Sequence, residues 1–172
     1  MLKQYIKGKV YVFIDAANIF YTQRTLGWRI SYERLAQYFR DECGDNLAKM
    51  FVYTAYDKGR PQQKKFLDML EINNYILRTK EVKRIRVAKG IYEWKGDFDV
   101  ELAMDVLDHL QNFTTAVLLS GDSDFAPIVK RMKENNKKVI VMSAKHHISR
   151  ELIKHSDKYV NLKKLRDRIE LK

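Results

Sequence analysis

The sequence predicts an α/β fold in which one mostly parallel sheet carries helices, and three observations indicate it. Short apolar runs rich in β-branched and aromatic residues are typical of buried strands. Helical periodicities lie between these runs, and an alternation of strand and helix favours a parallel sheet with right-handed crossovers. With 172 residues and 45% hydrophobic content, the chain can bury the core of one domain. The predicted strands are residues 9–15, 50–56, 75–82, 116–119 and 138–143.

The first half of the chain has clear helix signals between its strands. A helix or turn begins at Ala16 and ends by Gly27. Ser31 is a suitable N-cap for a second helix that ends near Gly44. Pro61 suits the first position of a third helix, where its missing N–H costs no intrahelical hydrogen bond. These segments supply the helices between the first three strands.

Residues 82–94 interrupt this alternation. Ile85 and Val87 alternate with Arg84 and Arg86, and residues 88–90 can turn, so the segment predicts an inserted β-hairpin. Such a basic, aromatic hairpin is either a flap that binds nucleic acid or a solvated sheet edge whose charges discourage aggregation. Further helices are predicted at residues 97–112, from Phe125, at residues 148–155 and at a polar C-terminus.

An excess of basic residues is the main compositional clue. Lys and Arg number 33 against 22 Asp and Glu, which gives a formal net charge of +11. Such an excess commonly marks a polyanionic partner, usually nucleic acid, although a Lys-rich soluble surface gives the same composition. The single cysteine, Cys43, excludes an internal disulfide, and no apolar run approaches the length of a membrane span. We therefore expect a soluble, cytoplasmic protein with no membrane partner.

Carboxylates follow two of the predicted strands. Asp15 ends the first strand, and Asp122 and Asp124 lie in a tight turn between the strand at residues 116–119 and the next helix. Ligands of open parallel sheets bind at the carboxyl ends of strands. If these two strands are neighbours, the three carboxylates meet at one sheet edge. Taken singly, Asp15 and Asp124 could equally be helix N-caps.

A fourth carboxylate, Asp99, heads the apolar stripe of the helix predicted over residues 97–112. Apolar residues follow it at the spacing of one helix face, and an inward carboxylate is costly unless it is paired, hydrogen-bonded or bound to metal. Asp105 lies about 240° further round the helix. It is therefore predicted to be solvated or to support the site from behind. Asp97 and Asp99 could also simply complement the helix dipole.

Four carboxylates in one pocket would repel each other strongly. The cluster is most reasonable if it holds a hard divalent cation, for which Mg²⁺ or Mn²⁺ is the natural choice. One or two such ions can activate water and stabilise the developing charge in phosphodiester hydrolysis. Asn18, three residues after Asp15, either caps its own helix, orients a carboxylate or binds a phosphate.

Three stretches of the sequence resemble the signatures of the NYN domain family. They are residues 15–18 (DAAN), residues 95–105 (KGDFDVELAMD) and residues 120–125 (SGDSDF). NYN domains belong to the PIN-like, flap-nuclease-like group of metal-dependent nucleases, and the likeness spans residues 9–162. The resemblance implies a Rossmann-like, three-layer α/β/α fold with sheet order 3-2-1-4-5. Asp97 departs from the usual spacing and leaves open whether it or Asp99 faces the metal, although the helical stripe favours Asp99.

The residue patterns and the resemblance together give a predicted site at one edge of the sheet. Its metal ligands and catalytic residues are Asp15, Asp99, Asp122 and Asp124, with Asn18 as a further catalytic residue matching the family's Asn. Asp97, Asp105, Ser120 and Ser123 are predicted to support them.

These features predict a divalent-metal-dependent endoribonuclease that hydrolyses phosphodiester bonds of single-stranded or unpaired RNA. Tyr21, Trp28, Tyr92 or Trp94 would stack on bases. A non-catalytic RNA-binding or adaptor protein on the same fold and a metal-dependent phosphohydrolase are the alternatives, and the sequence leaves the oligomeric state open, a homodimer included. The predicted RNA-binding residues are Arg84, Arg86, Lys89, Lys95, Lys145 and Arg150.

Overall fold

The computed structural model describes residues 1–57, 59–88, 91–95 and 97–172, with only the backbone described for the strands at 83–88 and 91–95. The strands are β1 (Val10–Asp15), β2 (Leu47–Tyr56), β3 (Ile76–Glu81), β4 (Lys83–Ala88), β5 (Ile91–Lys95), β6 (Thr115–Leu119), β7 (Lys138–Ser143) and β8 (Lys158–Asn161). The helices are α1 (Ala16–Leu26), α2 (Tyr32–Cys43), α3 (Pro61–Ile72), α4 (Asp99–Asp108), α5 (Ala126–Glu134), α6 (Arg150–His155) and α7 (Arg166–Ile169).

The central sheet is parallel throughout and has the order β3-β2-β1-β6-β7-β8. In the order of its own strands along the chain this is 3-2-1-4-5-6, so the predicted order is confirmed and extended by a sixth strand, β8. The direction of winding reverses between β1 and β6, which are neighbours in register from Val10 and Thr115 to Ile14 and Leu119. The carboxyl end of β1, which carries Asp15, therefore lies beside the carboxyl end of β6, which precedes Asp122.

Alternate residues of β1 face two different apolar clusters. Val10, Val12 and Ile14 pack with residues of α1, α2 and α3, whereas Tyr11 and Phe13 pack with residues of α4, α5 and α6. A strand that is apolar on both faces is expected at the centre of a parallel sheet. The two clusters confirm the predicted layers, with one set of helices on each face.

Helix ends follow the predicted caps closely in the first half of the chain. The Ser31 hydroxyl accepts from the backbone N–H of Arg34 at 3.2 Å and begins α2. Gly27 ends α1 with a φ of 75°, a left-handed conformation in which glycine avoids the cost of a Cβ atom. Pro61 is in the first turn of α3, as predicted.

Three predicted segments differ from the structure. The helix predicted over residues 97–112 is α4, which ends at Asp108 because the backbone turns back on itself between His109 and Asn112. The helix predicted at residues 148–155 begins only at Arg150, because the Ser149 hydroxyl caps it by accepting from Leu152 N–H. The C-terminus is not simply polar, since Leu165 and Ile169 are buried in the core.

The predicted hairpin is present as the antiparallel pair of β4 and β5, in which Arg84 lies opposite Trp94 and Arg86 opposite Tyr92. Its turn, at residues 89 and 90, lies outside the described part of the chain. None of the helices described is both long and apolar enough to cross a bilayer.

Candidate active site

Asp15 is the last residue of β1 and also caps α1. Its Oδ1 atom accepts from the backbone N–H of Asn18 at 3.0 Å, and its Oδ2 atom accepts from the Ser120 hydroxyl at 3.1 Å. Burial raises the pKa of Asp15, and the hydrogen bonds from Asn18 and Ser120 oppose this rise without cancelling it. The Asp15 carboxylate therefore caps α1 and also lies where the carboxyl ends of β1 and β6 meet.

Asn18 joins the ends of the two central strands. Its backbone N–H donates to Asp15, and its side-chain Oδ1 accepts from the backbone N–H of Gly121 at 3.0 Å. The carboxamide thus satisfies a backbone donor directly after β6. The bond to the Asp15 carboxylate comes from the backbone of Asn18, whereas its side chain holds the turn after β6.

The turn after β6 presents the next two carboxylates. Ser120 is fully buried, and its hydroxyl accepts from the backbone N–H of Asp122 at 3.2 Å. The Asp122 carboxylate in turn accepts from the backbone N–H of Asp124 at 3.0 Å. Asp122 is half-buried, whereas Ser123 and Asp124 are exposed. Ser120 is therefore hydrogen-bonded both to the carboxylate of Asp15 and to the backbone of Asp122.

Gly121 allows the loop at residues 144–149 to pack against this turn. A Cβ atom on Gly121 would lie 1.5 Å from the carbonyl oxygen of His147, so no larger residue fits. The Gly121 carbonyl also accepts from the backbone N–H of Ser149 at 3.0 Å. The imidazole of His147 forms a hydrogen bond with the hydroxyl of Thr25, which connects the loop to α1. The sequence shows a glycine here but not the close approach that requires it.

Asp99 is the first residue of α4 and faces the same acidic edge. Burial, followed by the negative charges of Asp15 and Asp122 and the weaker effects of Asp97 and Asp124, raises the pKa of Asp99 to about 6. Asp97 is exposed, and its backbone carbonyl accepts from the Lys80 ammonium at 2.9 Å. Of these two acids, Asp99 is therefore the half-buried one and Asp97 the exposed one.

Of the two roles predicted for Asp105, the solvated one is wrong, because the side chain is buried. It is 9% exposed, and its carboxylate accepts from the Tyr53 hydroxyl at 2.9 Å and from two guanidinium nitrogens of Arg78 at 2.8 and 3.0 Å. Burial alone would raise the pKa of Asp105, but the bonds from Arg78 and Tyr53 hold it below its usual value. Leu107, one of the apolar residues at the spacing of the predicted α4 stripe, is 47% exposed. Asp105 is therefore a structural ion-pair partner rather than a solvated group.

The negative charges of the other three predicted ligands, Asp15, Asp122 and Asp124, all act on Asp99. Among the side chains that the structure describes, no three from His, Cys, Asp and Glu form a group that could hold a metal ion. The donor chemistry nevertheless suits Mg²⁺ or Mn²⁺, because carboxylate oxygens are the ligands these hard ions prefer. The pKa of Asp99, raised by burial and by its acidic neighbours, shows that the edge already favours added positive charge.

The predicted RNA-binding residues fall into two groups. Lys145 lies within the loop that packs on Gly121 and Arg150 directly follows it, and both are exposed. Arg84, Arg86 and Lys95 belong to the hairpin strands, for which the backbone alone is described, and Lys89 lies outside the described residues.

Trp28 was predicted as one of the aromatic residues that stack on bases, and this is wrong. Its side chain is only 7% exposed and packs in the cluster beneath α1 and α2. Tyr21, by contrast, is 56% exposed on α1. The sequence alone did not show which of Trp28 and Tyr21 is buried, because both lie in one short segment after Asp15 in which apolar and polar residues are mixed.

Comparisons with known proteins place this arrangement in a family. The model of the NYN domain matches residues 9–163. The chain belongs to the NYN domain family. Members of the NYN family are generally nucleases, most often ribonucleases, and nucleases of this group typically use divalent metal ions.

Two relatives cover almost the whole NYN domain. Low amplitude and bright protein LabA of Synechococcus elongatus is 29% identical over 165 residues, which span 95% of this chain and 88% of that protein. A crystal structure of a protein of unknown function from Vibrio parahaemolyticus matches with a TM-score of 0.80 at 25% identity. It covers 96% of this chain and 97% of the Vibrio chain. This chain therefore shares its NYN fold with the Vibrio protein over nearly its full length.

Proposed function

We propose that this protein is a divalent-metal-dependent endoribonuclease that cleaves single-stranded or unpaired RNA. The observation that carries the proposal is the acidic edge at the point where the sheet reverses its winding. There Asp15, Asp99 and Asp122 are close enough for their charges to interact, and burial together with this repulsion raises the pKa of Asp99 to about 6. In open α/β sheets this reversal point is the usual place for ligands. Membership of the NYN family supports the same proposed function.

Asp15, Asp99, Asp122 and Asp124 would hold Mg²⁺ or Mn²⁺. When bound, such an ion would lower the pKa of a water molecule and offset the negative charge that develops on the phosphate. The chain's own residues keep the acidic edge in place. Ser120 fixes the carboxylate of Asp15 and the turn that carries Asp122, and Asn18 fixes the backbone of Gly121. Asp15 and Asp122 are thereby held on neighbouring strand ends before substrate arrives.

Single-stranded RNA is the proposed substrate because the chain combines this edge with a large basic excess. The net charge of +11 provides affinity for a phosphate chain, which a small phosphate ester does not require. Lys145 and Arg150 are exposed beside the turn that carries Asp122. They are the described cations that we propose to contact the strand nearest the cleaved phosphate.

A non-catalytic RNA-binding protein on the same fold is the second candidate. It is favoured by the finding that no three acidic, His or Cys side chains among those described are assembled as a metal-holding group. This candidate retains RNA affinity but predicts no cleavage under any metal condition.

The deciding experiment measures cleavage of labelled single-stranded RNA, double-stranded RNA and single-stranded DNA of one sequence. Each is incubated with Mg²⁺, Mn²⁺ or a chelator. We expect internal cleavage of the single-stranded RNA with metal and none with chelator. Binding without cleavage in every metal condition would contradict the nuclease and favour the second candidate.

The RNA path is tested by the salt dependence of binding in metal-free buffer. Each phosphate contact to single-stranded RNA contributes about 0.7 to the slope of log affinity against log salt. We therefore expect Lys145→Ala with Arg150→Ala to flatten the slope by about 1.4, and Arg84→Ala with Arg86→Ala to do the same if the hairpin binds RNA. The affinity is measured with a fluorescent RNA at several salt concentrations.

A matched control removes the same charge elsewhere. Lys7 and Lys9 are exposed and precede β1, at the opposite edge of the sheet from Asp15. Replacing both with Ala should leave the slope unchanged. An equal flattening in all three double variants would show that RNA affinity reflects net charge alone and would remove the proposed path.

A further inference from the structure

A cleft of about 550 Å³ opens beside the acidic edge and takes no part in the site described above. Its walls come from α1, residues 29–31 and the start of α2, the carboxyl end of β2, and α3, together with Phe98 and Leu171. Cavities of roughly 300–1,000 Å³ with mainly apolar walls are typical of sites for small organic groups.

Three wall residues of the cleft are neighbours of acidic-edge residues, in the chain or in the sheet. Ala16 directly follows Asp15, and Phe98 directly precedes Asp99. Tyr53 lies on β2 as the register partner of Asp15. A group that enters the cleft therefore contacts residues that are next in the chain to Asp15 and Asp99, two of the four carboxylates.

Two exposed aromatic rings line this cleft. Phe20 and Tyr21 are 52% and 56% exposed, with ring centroids 5.7 Å apart in an edge-to-face arrangement. Large apolar side chains exposed together usually mark a contact surface. Flat, exposed rings beside a phosphate-binding edge are the surfaces on which proteins stack unpaired bases.

Cationic groups accompany the rings. The guanidinium of Arg24 lies 4.9 Å from the centroid of Phe20 and 5.5 Å from that of Tyr21. Arg29, also exposed, lines the same cleft. In the part of the chain that the structure describes, neither guanidinium is in an ion pair, so both can take a phosphate. This combination of stacking surface and unpaired cation suits a nucleotide better than a purely apolar ligand.

We propose that this cleft receives an unpaired base of the RNA strand next to the cleaved phosphate, with Phe20 and Tyr21 as the stacking surface and Arg24 on the backbone. The proposal rests on the function proposed above and gives it a physical source of single-strand preference. A base in a duplex is already stacked and paired, and entering the cleft would cost its unstacking.

The test uses single-stranded RNA with one 2-aminopurine, whose fluorescence reports stacking, in chelator so that no cleavage interferes. Stacking on an aromatic side chain is worth about 1–3 kcal/mol per base, so Phe20→Ala with Tyr21→Ala should weaken binding by roughly tenfold or more. The double variant should also abolish the change in 2-aminopurine fluorescence. Binding to double-stranded RNA should change by less than about twofold, because paired bases do not reach the rings.

Two further variants make the result specific. Ile72→Ala removes an exposed apolar side chain that is 79% exposed on α3 but does not line the cleft, and it should behave as wild type. Phe20→Trp should restore stacking in a Tyr21→Ala background. Unchanged affinity and fluorescence in the folded double variant would overturn the proposal.

The outcomes separate this proposal from the nuclease itself. If wild type does not cleave RNA with metal, yet the double variant loses base stacking, the nuclease fails and the base-binding cleft stands. If wild type cleaves and the double variant binds normally, the cleft proposal fails alone. If binding is unchanged and the double variant instead loses a dimer that wild type forms, as measured by sedimentation, the rings belong to a contact between chains and the proposal is overturned.

Discussion

Asp99→Asn and Asp122→Asn should each lose metal-dependent cleavage of RNA by more than about a hundredfold, because even outer partners of a metal site cost roughly 10–100-fold. Both changes keep the shape of the side chain and remove its charge. Burial and the charges of its acidic neighbours raise the pKa of Asp99, and Asp122 is one of the carboxylates that act on it. The measurement is the initial rate of cleavage of one single-stranded RNA with Mn²⁺, for folded variants of equal concentration.

Asp99→Asn should also stabilise the protein in chelator. Because the folded-state pKa of Asp99 is raised to about 6 from 3.8, folding takes up a proton between these values. The free energy of unfolding of wild type should therefore fall as the pH rises from about 4 to 6 and stay reduced above that. Asp99→Asn should lack this part of the pH dependence and gain about 1 kcal/mol at pH 7.5, a figure reduced for the partial exposure of the group.

Asp105→Asn is the control on the same helix, and it should show the reverse pattern. Asp105 binds Arg78 and Tyr53, so its charge stabilises the fold rather than opposing it. Weakening a buried hydrogen-bonded carboxylate costs about 1–3 kcal/mol, and the 40% exposed side chain of Arg78 places the expected loss near the lower end. Cleavage per folded molecule should fall less than tenfold. Equal losses of cleavage at Asp99 and Asp105 would contradict the assignment of Asp99.

Much of this site could be predicted because it depends on local signals. Asp15 and Asp122 each follow an apolar strand, and parallel strands bring their carboxyl ends to one edge. The structure confirms that β1 and β6 are neighbours, with Ser120 bonded to Asp15 across them. Sequence pattern and sheet geometry were sufficient for these features.

The features that were missed depend on partners distant in the chain. Asp105 is buried because Arg78 on β3 reaches it, and a stripe of apolar residues on α4 contains no information about that ion pair. Trp28 is in the core because helices around it enclose it, although its immediate neighbours are polar or glycine. The cleft beside Asp15 combines residues that are far apart in the chain, from Ala16 to Leu171. Periodicity within one segment does not reveal such contacts.

Among substitutions that add a single methyl group at the site, Gly121→Ala should destabilise the protein most. The new Cβ atom would meet the carbonyl oxygen of His147 at 1.5 Å and the carbonyl carbon at 2.5 Å, and backbone atoms cannot rotate away as a side chain would. Overpacking costs typically 1–3 kcal/mol and occasionally more, and we expect about 3 kcal/mol or more here. Urea unfolding with linear extrapolation measures the change in the free energy of unfolding.

Gly27→Ala separates this steric effect from the ordinary loss of glycine. Gly27 has a φ of 75° but nothing within 4 Å of its would-be Cβ atom, so its substitution costs only the left-handed conformation, roughly 1–2 kcal/mol. Gly121→Ala must also move the loop at residues 144–149. This movement disrupts the hydrogen bond from Ser149 N–H to the Gly121 carbonyl. It also displaces the backbone N–H of residue 121, which donates to the side chain of Asn18. RNA cleavage per folded molecule should therefore fall at least tenfold in Gly121→Ala and remain near wild type in Gly27→Ala. Equal stability losses with unchanged cleavage in both variants would show that the loop yields freely and that its contact with Gly121 does not position the acidic turn.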